Sequence, residues 1–295
     1  MNRLVLLLLC VLYMQCVDVE DFWEKAKKEN TPEAYIKFIK EHSAGRFTAE
    51  AMSTLEKLYF HQAKELNIIP AYRHFLKMYP ESIYADSVKT ILNNFETIDL
   101  IIRKSGDLKK SNVEYRLIGN AKGVFELAGI IINEDGVEHN KRIIVDISGD
   151  AQGGNYTTLG QGFYQYAGAE IYGSVVFLIG SAVKYKKSFR GLKEPPSEIQ
   201  FANYNSPSNA PFASALDKSN CARYLYEILA VGWGIEAVQK ALDNISKHYY
   251  IWKPKIESKN IAQVSIYSEA WSTHEALKPI AISVLDSLNS HKKKK

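Results

Sequence analysis

The segment from Asp21 to Phe95 states the same pattern twice. Trp23 returns as Phe60, Ala26 as Ala63, Asn30 as Asn67, Ala34 as Ala71, Tyr35 as Tyr72 and Phe38 as Phe75, all at one offset of 37 residues (60 − 23). Lys40 with Lys77, Phe47 with Tyr84 and Leu55 with Leu92 continue the series. A fixed period of this size predicts stacked helical hairpins, because a single hairpin cannot bury its apolar stripe alone. In the first copy Thr31 is placed to cap a helix that Pro32 opens, since proline's missing N–H is no loss at a first helical position. Ala34, Tyr35, Phe38 and Ile39 then recur at helical spacing, and Ser43 to Arg46 breaks the helix. Trp23 is expected as a packing anchor, its ring used between helices.

Trp23-Glu24-Lys25-Ala26-Lys27, Glu33-Ala34-Tyr35, Phe38-Ile39-Lys40, Phe75-Leu76-Lys77-Met78-Tyr79-Pro80 and Tyr84-Ala85-Asp86 resemble the tetratricopeptide-like repeats of bacterial envelope proteins, outer-membrane assembly lipoproteins in particular. The resemblance covers residues 18–98. It implies a helical-hairpin scaffold that contacts other envelope proteins, and it specifies no chemistry.

Upstream, Met1-Asn2-Arg3 and the apolar run Leu4 to Tyr13 read as a secretory signal peptide over residues 1–17. The run is about half the ~20 residues that a bilayer span needs. Cys16 stands where a lipoprotein signal would place its modified cysteine, although Tyr13-Met14-Gln15 lacks the small residues that such a signal prefers. Cys16 is thus the candidate lipid-attachment residue. It would tether a periplasmic or membrane-anchored body to a bacterial envelope. With Cys10 and Cys16 in the leader, Cys221 is left alone, so neither a disulfide framework nor zinc spacing is present, and a small core residue is expected there. The formal charge is +4, and the basic tail at 292–295 supplies that amount by itself. No nucleic-acid face is indicated.

From residue 110 to 205 the pattern shortens to a period of two. Val113, Tyr115 and Leu117 alternate, Val124 to Ile132 is apolar, and Asp135-Gly136 precedes the run Arg142 to Ser148, which together predict a hairpin. Gly- and Tyr-rich sequence follows from Gly162 to Ala169, then Ile171 to Ile179, Ala182 to Phe189 and Glu198 to Phe201, with Pro195-Pro196 closing an edge. The expected architecture is a central antiparallel β-sandwich, which makes the whole chain α+β and multidomain. Three catalytic readings fail on their own requirements. Gly149 to Asn155 has no lysine for a phosphate loop. The acidic loop from Asp146 has Ala151 and Thr157 where a calcium loop needs glycine and glutamate. Asp146 and Asp150 are four residues apart, a spacing that does not place two carboxylates across a sugar. Tyr164, Tyr166 and Tyr172, with Tyr185, are the candidate binding residues of this region, because tyrosines exposed on one sheet face would stack on carbohydrate. Asn155 and Asn244 match the N-glycosylation pattern.

After a linker at 205–211, helical spacing resumes through Ala222, Leu225, Ile228 and Leu229, breaks at Gly232-Trp233-Gly234, and resumes at Ile235, Val238, Leu242 and Ile245. Glu236-Ala237-Val238 matches Glu275-Ala276-Leu277 at an offset of 39 (275 − 236), with Pro279 kinking the last helix. Residues 212–291 therefore resemble a pair of HEAT-like helical repeats. No nucleophile elbow or His-Glu-x-x-His is present. No catalytic residue, metal or cofactor is indicated. The expectation is a non-enzymatic, exported protein-binding scaffold, with carbohydrate binding or glycan processing through the tyrosine-rich region as the alternative.

Overall fold

The computed structural model describes residues 19–134, 138–158, 161–193, 209–252 and 261–292. The signal peptide, Cys16, Asp135-Gly136, Pro195-Pro196, the run Glu198 to Phe201 and most of the basic tail lie outside the described residues. The chain divides into two compact units, Met1–Asn93 and Asn94–Lys295.

The first unit is helical: α1 (residues 19–29), α2 (Pro32–Glu41), α3 (Thr48–Leu66), α4 (Ile69–Met78) and α5 (Ala85–Asn93). Several matched positions of the two copies share local geometry. Asn30 and Asn67 both take left-handed backbone, at φ 45° and 49°. Each accepts a hydrogen bond from the hydroxyl of the tyrosine five residues on, Tyr35 at 3.2 Å and Tyr72 at 3.1 Å. Trp23 stacks on Phe47 and, in the second copy, Phe60 on Tyr84, at interplanar angles of 11° and 10°. Tilted pairs repeat too, Trp23 with Phe38 and Phe60 with Phe75. Thr31 caps α2 through a 3.2 Å bond from the Ala34 N–H, and Pro32 sits just inside, as the sequence predicts. Trp23 is 2% exposed, so its indole is a packing anchor.

His74 on α4 has no counterpart of its kind, since Lys37 stands at its place in the first copy. Burial, helped by Lys77, holds its imidazole down to about 4. An unfolded histidine binds its proton near 6.5. Between those values the unfolded chain carries the extra proton, so stability is full above about 6.5 and falls as pH drops towards 4. After discounting for partial exposure we expect a loss of about 2 kcal/mol across this window. Urea midpoints of His74→Gln should be flatter over the same pH range.

The second unit is one five-stranded mixed sheet among the described residues, in the order β2-β1-β3-β4-β5, and not a separate antiparallel β-sandwich. Its strands are β1 (Glu96–Gly106), β2 (Ile130–Asn133), β3 (Lys141–Thr158), β4 (Gln161–Ile179) and β5 (Ala182–Lys193). Strands β2 and β3 both run parallel to β1, on opposite sides of it, so they form no hairpin. The stretch from Val113, expected as strand, is instead α6 (Val113–Ala128). Val113, Leu117, Ala121, Val124 and Phe125 are its buried stripe, and Tyr115 is 69% exposed. Gly129 ends the helix at φ 89°, a left-handed cap that glycine takes at least cost. Helix α6 thus bridges two parallel strands, the connection such strands require.

Helices α7 (Asn209–Lys218), α8 (Cys221–Trp233), α9 (Ile235–Trp252) and α10 (Ile261–Lys292) complete the unit. Helix α7 begins inside the segment 205–211 expected as linker, with Pro211 in its first turn, where proline is tolerated. Residues 261–267 are helical, and Pro279 lies inside α10. The sheet face towards the helices carries Ile143, Val145, Ile147, Ile171, Val175 and Phe177, all buried. Helices rather than a second sheet cover this face. Cys221 is buried and its thiol is pushed up to about 12 by desolvation, as expected of a core cysteine. Asn244 is 5% exposed and donates to the Leu127 carbonyl at 2.8 Å, so the folded chain offers no glycan acceptor there.

Candidate functional site

The tyrosine candidates fall on one long strand. Tyr164 and Tyr166 lie on β4 opposite Asn155 and Gly153 of β3, and Tyr172 lies opposite Ser148. A register shift between Gln152 and Gly153 interrupts the two-residue alternation between Tyr166 and Tyr172. Tyr172 is 41% exposed, and its hydroxyl donates to Asp150 at 3.3 Å. Asp146 pairs instead with Arg103 at 3.6 Å. The two acids considered as a carboxylate pair therefore have separate partners. Among the described residues no group of histidines, cysteines and acids has the makings of a metal site.

Tyr185 does not join that set. It belongs to β5 and forms one end of a cavity of about 340 Å³ between β5 and three helices. Helix α8 supplies Arg223, Glu227, Ala230 and Val231, which its pitch places on one face. Ile235 enters from the start of α9, and α10 supplies Val284, Ser287, Leu288 and His291, again at helical spacing. Glu227 organises the polar end. One carboxylate oxygen accepts from the Tyr185 hydroxyl at 2.7 Å, the other from Arg223 Nε at 2.9 Å. Arg223 Nη1 donates to Ser283 at 3.2 Å. Burial, then the Glu227 bond, drives the Tyr185 pKa upward, which keeps the phenol a neutral donor. The Arg223–Glu227 spacing of four is a familiar helical ion pair and was legible in sequence. Its union with Tyr185, about forty residues upstream, was not.

No family model, curated protein or solved structure matches the chain. Geometry therefore carries the functional argument.

A second polar cluster is structural in character. Asp99 is 3% exposed in the middle of β1. Its carboxylate accepts from the His139 backbone N–H at 2.7 Å and lies 2.6 Å from His139 Nδ1. Asp99 is also the residue at which β1 changes neighbours, paired with Asn133 of β2 on one side and Arg142 of β3 on the other. The carboxylate secures the chain where it passes from one side of β1 to the other. At the far end of α8, Trp233 Nε1 donates to Glu96 at 2.6 Å, and Lys141 pairs with Glu96 at 2.7 Å while lying over the indole at 4.3 Å. This clasp fixes α8 to the start of β1 and β3.

In the helical unit the core exchanges apolar residues for one another, whereas the surface exchanges charged residues for apolar ones. Glu41 and Arg46 of the first copy become Met78 and Ile83 in the second, and Lys89 of the second is Met52 in the first. Ile83 is 85% exposed, Met52 55% and Met78 43%. Arg46, by contrast, pairs with Glu20 at 3.0 Å.

Proposed function

We propose that the chain is a non-enzymatic, exported adaptor that binds a protein partner through the outer surface of its helical-hairpin unit. The observation that carries this reading is the substitution of apolar for charged residues at Met78 and Ile83, on either side of the second copy's turn. Packing does not require the exchange, since the first copy builds the same turn with Glu41 and Arg46. Exposed apolar side chains gathered on one surface mark protein contact, and both residues are exposed, Ile83 almost fully. The partner's contact surface is accordingly apolar and uncharged, with methionine supplying adaptable contact area. Export is supported by the leader-like sequence, with Cys16 as the candidate lipid tether. No helix among the described residues is long and apolar enough to cross a membrane.

The test is photo-crosslinking in intact cells from a probe at Ser82, beside the two residues. Wild type should give a discrete protein adduct. Met78→Glu with Ile83→Arg restores the charges of the first copy and should keep the fold, while reducing the adduct about tenfold or more, as expected when about 1.4 kcal/mol of contact is lost. An unchanged adduct in the double variant, or no adduct in wild type, would overturn the reading.

A further inference from the structure

We propose that the cavity between β5, α8, α9 and α10 binds a short-chain aliphatic carboxylate. The inference stands apart from the adaptor reading, because every residue it uses lies in the second unit. The cavity, at about 340 Å³, is of the size that small-molecule sites take, roughly 300–1,000 Å³. Its walls are branched and aliphatic: Val231, Ile235, Val284 and Leu288. A flexible alkyl chain fits such walls.

The polar end decides the charge of the ligand. Both oxygens of Glu227 already accept protein hydrogen bonds, and the Tyr185 proton is committed to one of them. Arg223 spends Nε on Glu227 and one N–H of Nη1 on Ser283. Nη2 has no partner among the described residues. The guanidinium is thus held at two points, which leaves one N–H of Nη1 and both of Nη2 uncommitted along the Nη1/Nη2 edge of a residue that lines the cavity. That edge is the part of arginine that meets a carboxylate in a forked pair. A cationic ligand would have to displace Arg223 or Tyr185 from Glu227 while sitting beside the guanidinium. Ser287, on the cavity wall, adds a hydroxyl donor. Glu227 and Tyr185 are positioning residues here; Arg223 makes the contact. Val231 is 53% exposed, so the cavity has an apolar rim through which a ligand can enter.

The experiment is titration of the full chain with hexanoate, hexan-1-ol and hexylammonium, followed by calorimetry and by chemical-shift changes of α8 and α10 amides. Hexanoate should bind saturably, hexanol about tenfold more weakly through loss of the forked pair, and hexylammonium not at all. Arg223→Gln should weaken hexanoate about tenfold while leaving hexanol unchanged. Val231→Trp, at the exposed rim, should abolish binding of both without altering the fold, and it decides the matter if Arg223→Gln does not fold. Hexylammonium binding as tightly as hexanoate, failure of hexanoate to saturate by about 10 mM, or hexanoate binding undiminished by Val231→Trp would overturn the proposal.

Discussion

Gly191→Ala should unfold the second unit at temperatures that the wild type withstands. Gly191 lies on β5 opposite Ile171, on the face that α7 covers. A Cβ added there would fall 1.9 Å from the backbone oxygen of Ala215 and 3.0 Å from the Ser219 Cβ. The obstacle is a helix carbonyl, which cannot rotate aside as a long side chain can. Either α7 lifts from the sheet or β5 bends away, and both uncover Phe212, Ala215 and Leu216, which are now buried. Overpacking ordinarily costs about 1–3 kcal/mol, and a rigid neighbour at this distance places the cost at about 3 kcal/mol or above. In a unit of this size that lowers the melting temperature by about 6–12 °C. Gly119→Ala is the internal control. Gly119 lies within α6 with nothing within 4 Å of its added Cβ, so alanine should raise stability by about 0.5–1 kcal/mol through helix propensity alone. Opposite signs from one chemical change would confirm that the close approach of α7, not glycine as such, is what β5 requires. Equal shifts in calorimetry would refute it.

Trp23→Ala should cost the first unit about 3–5 kcal/mol, the usual loss for a buried aromatic truncated to alanine. Domains of this kind have about 5–15 kcal/mol in total, so the variant should lie near the edge of folding. The duplication makes a sharper statement possible. Trp23→Phe installs the residue that the second copy uses at Phe60, in contact with the same kinds of ring, and should cost no more than about 1.5 kcal/mol. Phe60→Ala should match the loss at Trp23→Ala, because Phe60 holds Tyr84 and Phe75 as Trp23 holds Phe47 and Phe38. Urea unfolding of the three variants checks both comparisons. A Trp23→Phe loss as large as Trp23→Ala would mean that the indole does something no ring of the second copy reproduces.

The helical unit was legible in sequence because its pattern is stated twice and its rings sit in contact with one another. The sheet was not. Over the five residues from Val113 to Leu117, periods of 2 and 3.6 both put the two ends on one face, so only Tyr115 separates strand from helix. The deciding positions, Ala121, Val124 and Phe125, lie beyond that window. Gly119 and Gly123 further obscured the helix. Strand β1 fell between the expected segments, since Leu100-Ile101-Ile102 is a short apolar run with no alternation at its centre. The expected hairpin around Asp135-Gly136 assumed that neighbours in sequence are neighbours in the sheet, and β1 lies between them. The cavity was legible only in part. Its α8 face follows from helical pitch, but no local pattern brings Tyr185 to Glu227 or His291 to Val231.

Helix α3 packs against both α2 and α4. It carries Phe60 of the second copy as well as Ala51 and Leu55 of the first core cluster. In the language of coupled one-dimensional arrays, the two copies share a site as well as an interface. Such an array has no interior member and a single coupling constant. Half of it cannot persist as a folded remnant, so an opening that starts at α1 must run through to α5. The first unit should accordingly show one transition with every probe, and its population of half-open states should be negligible.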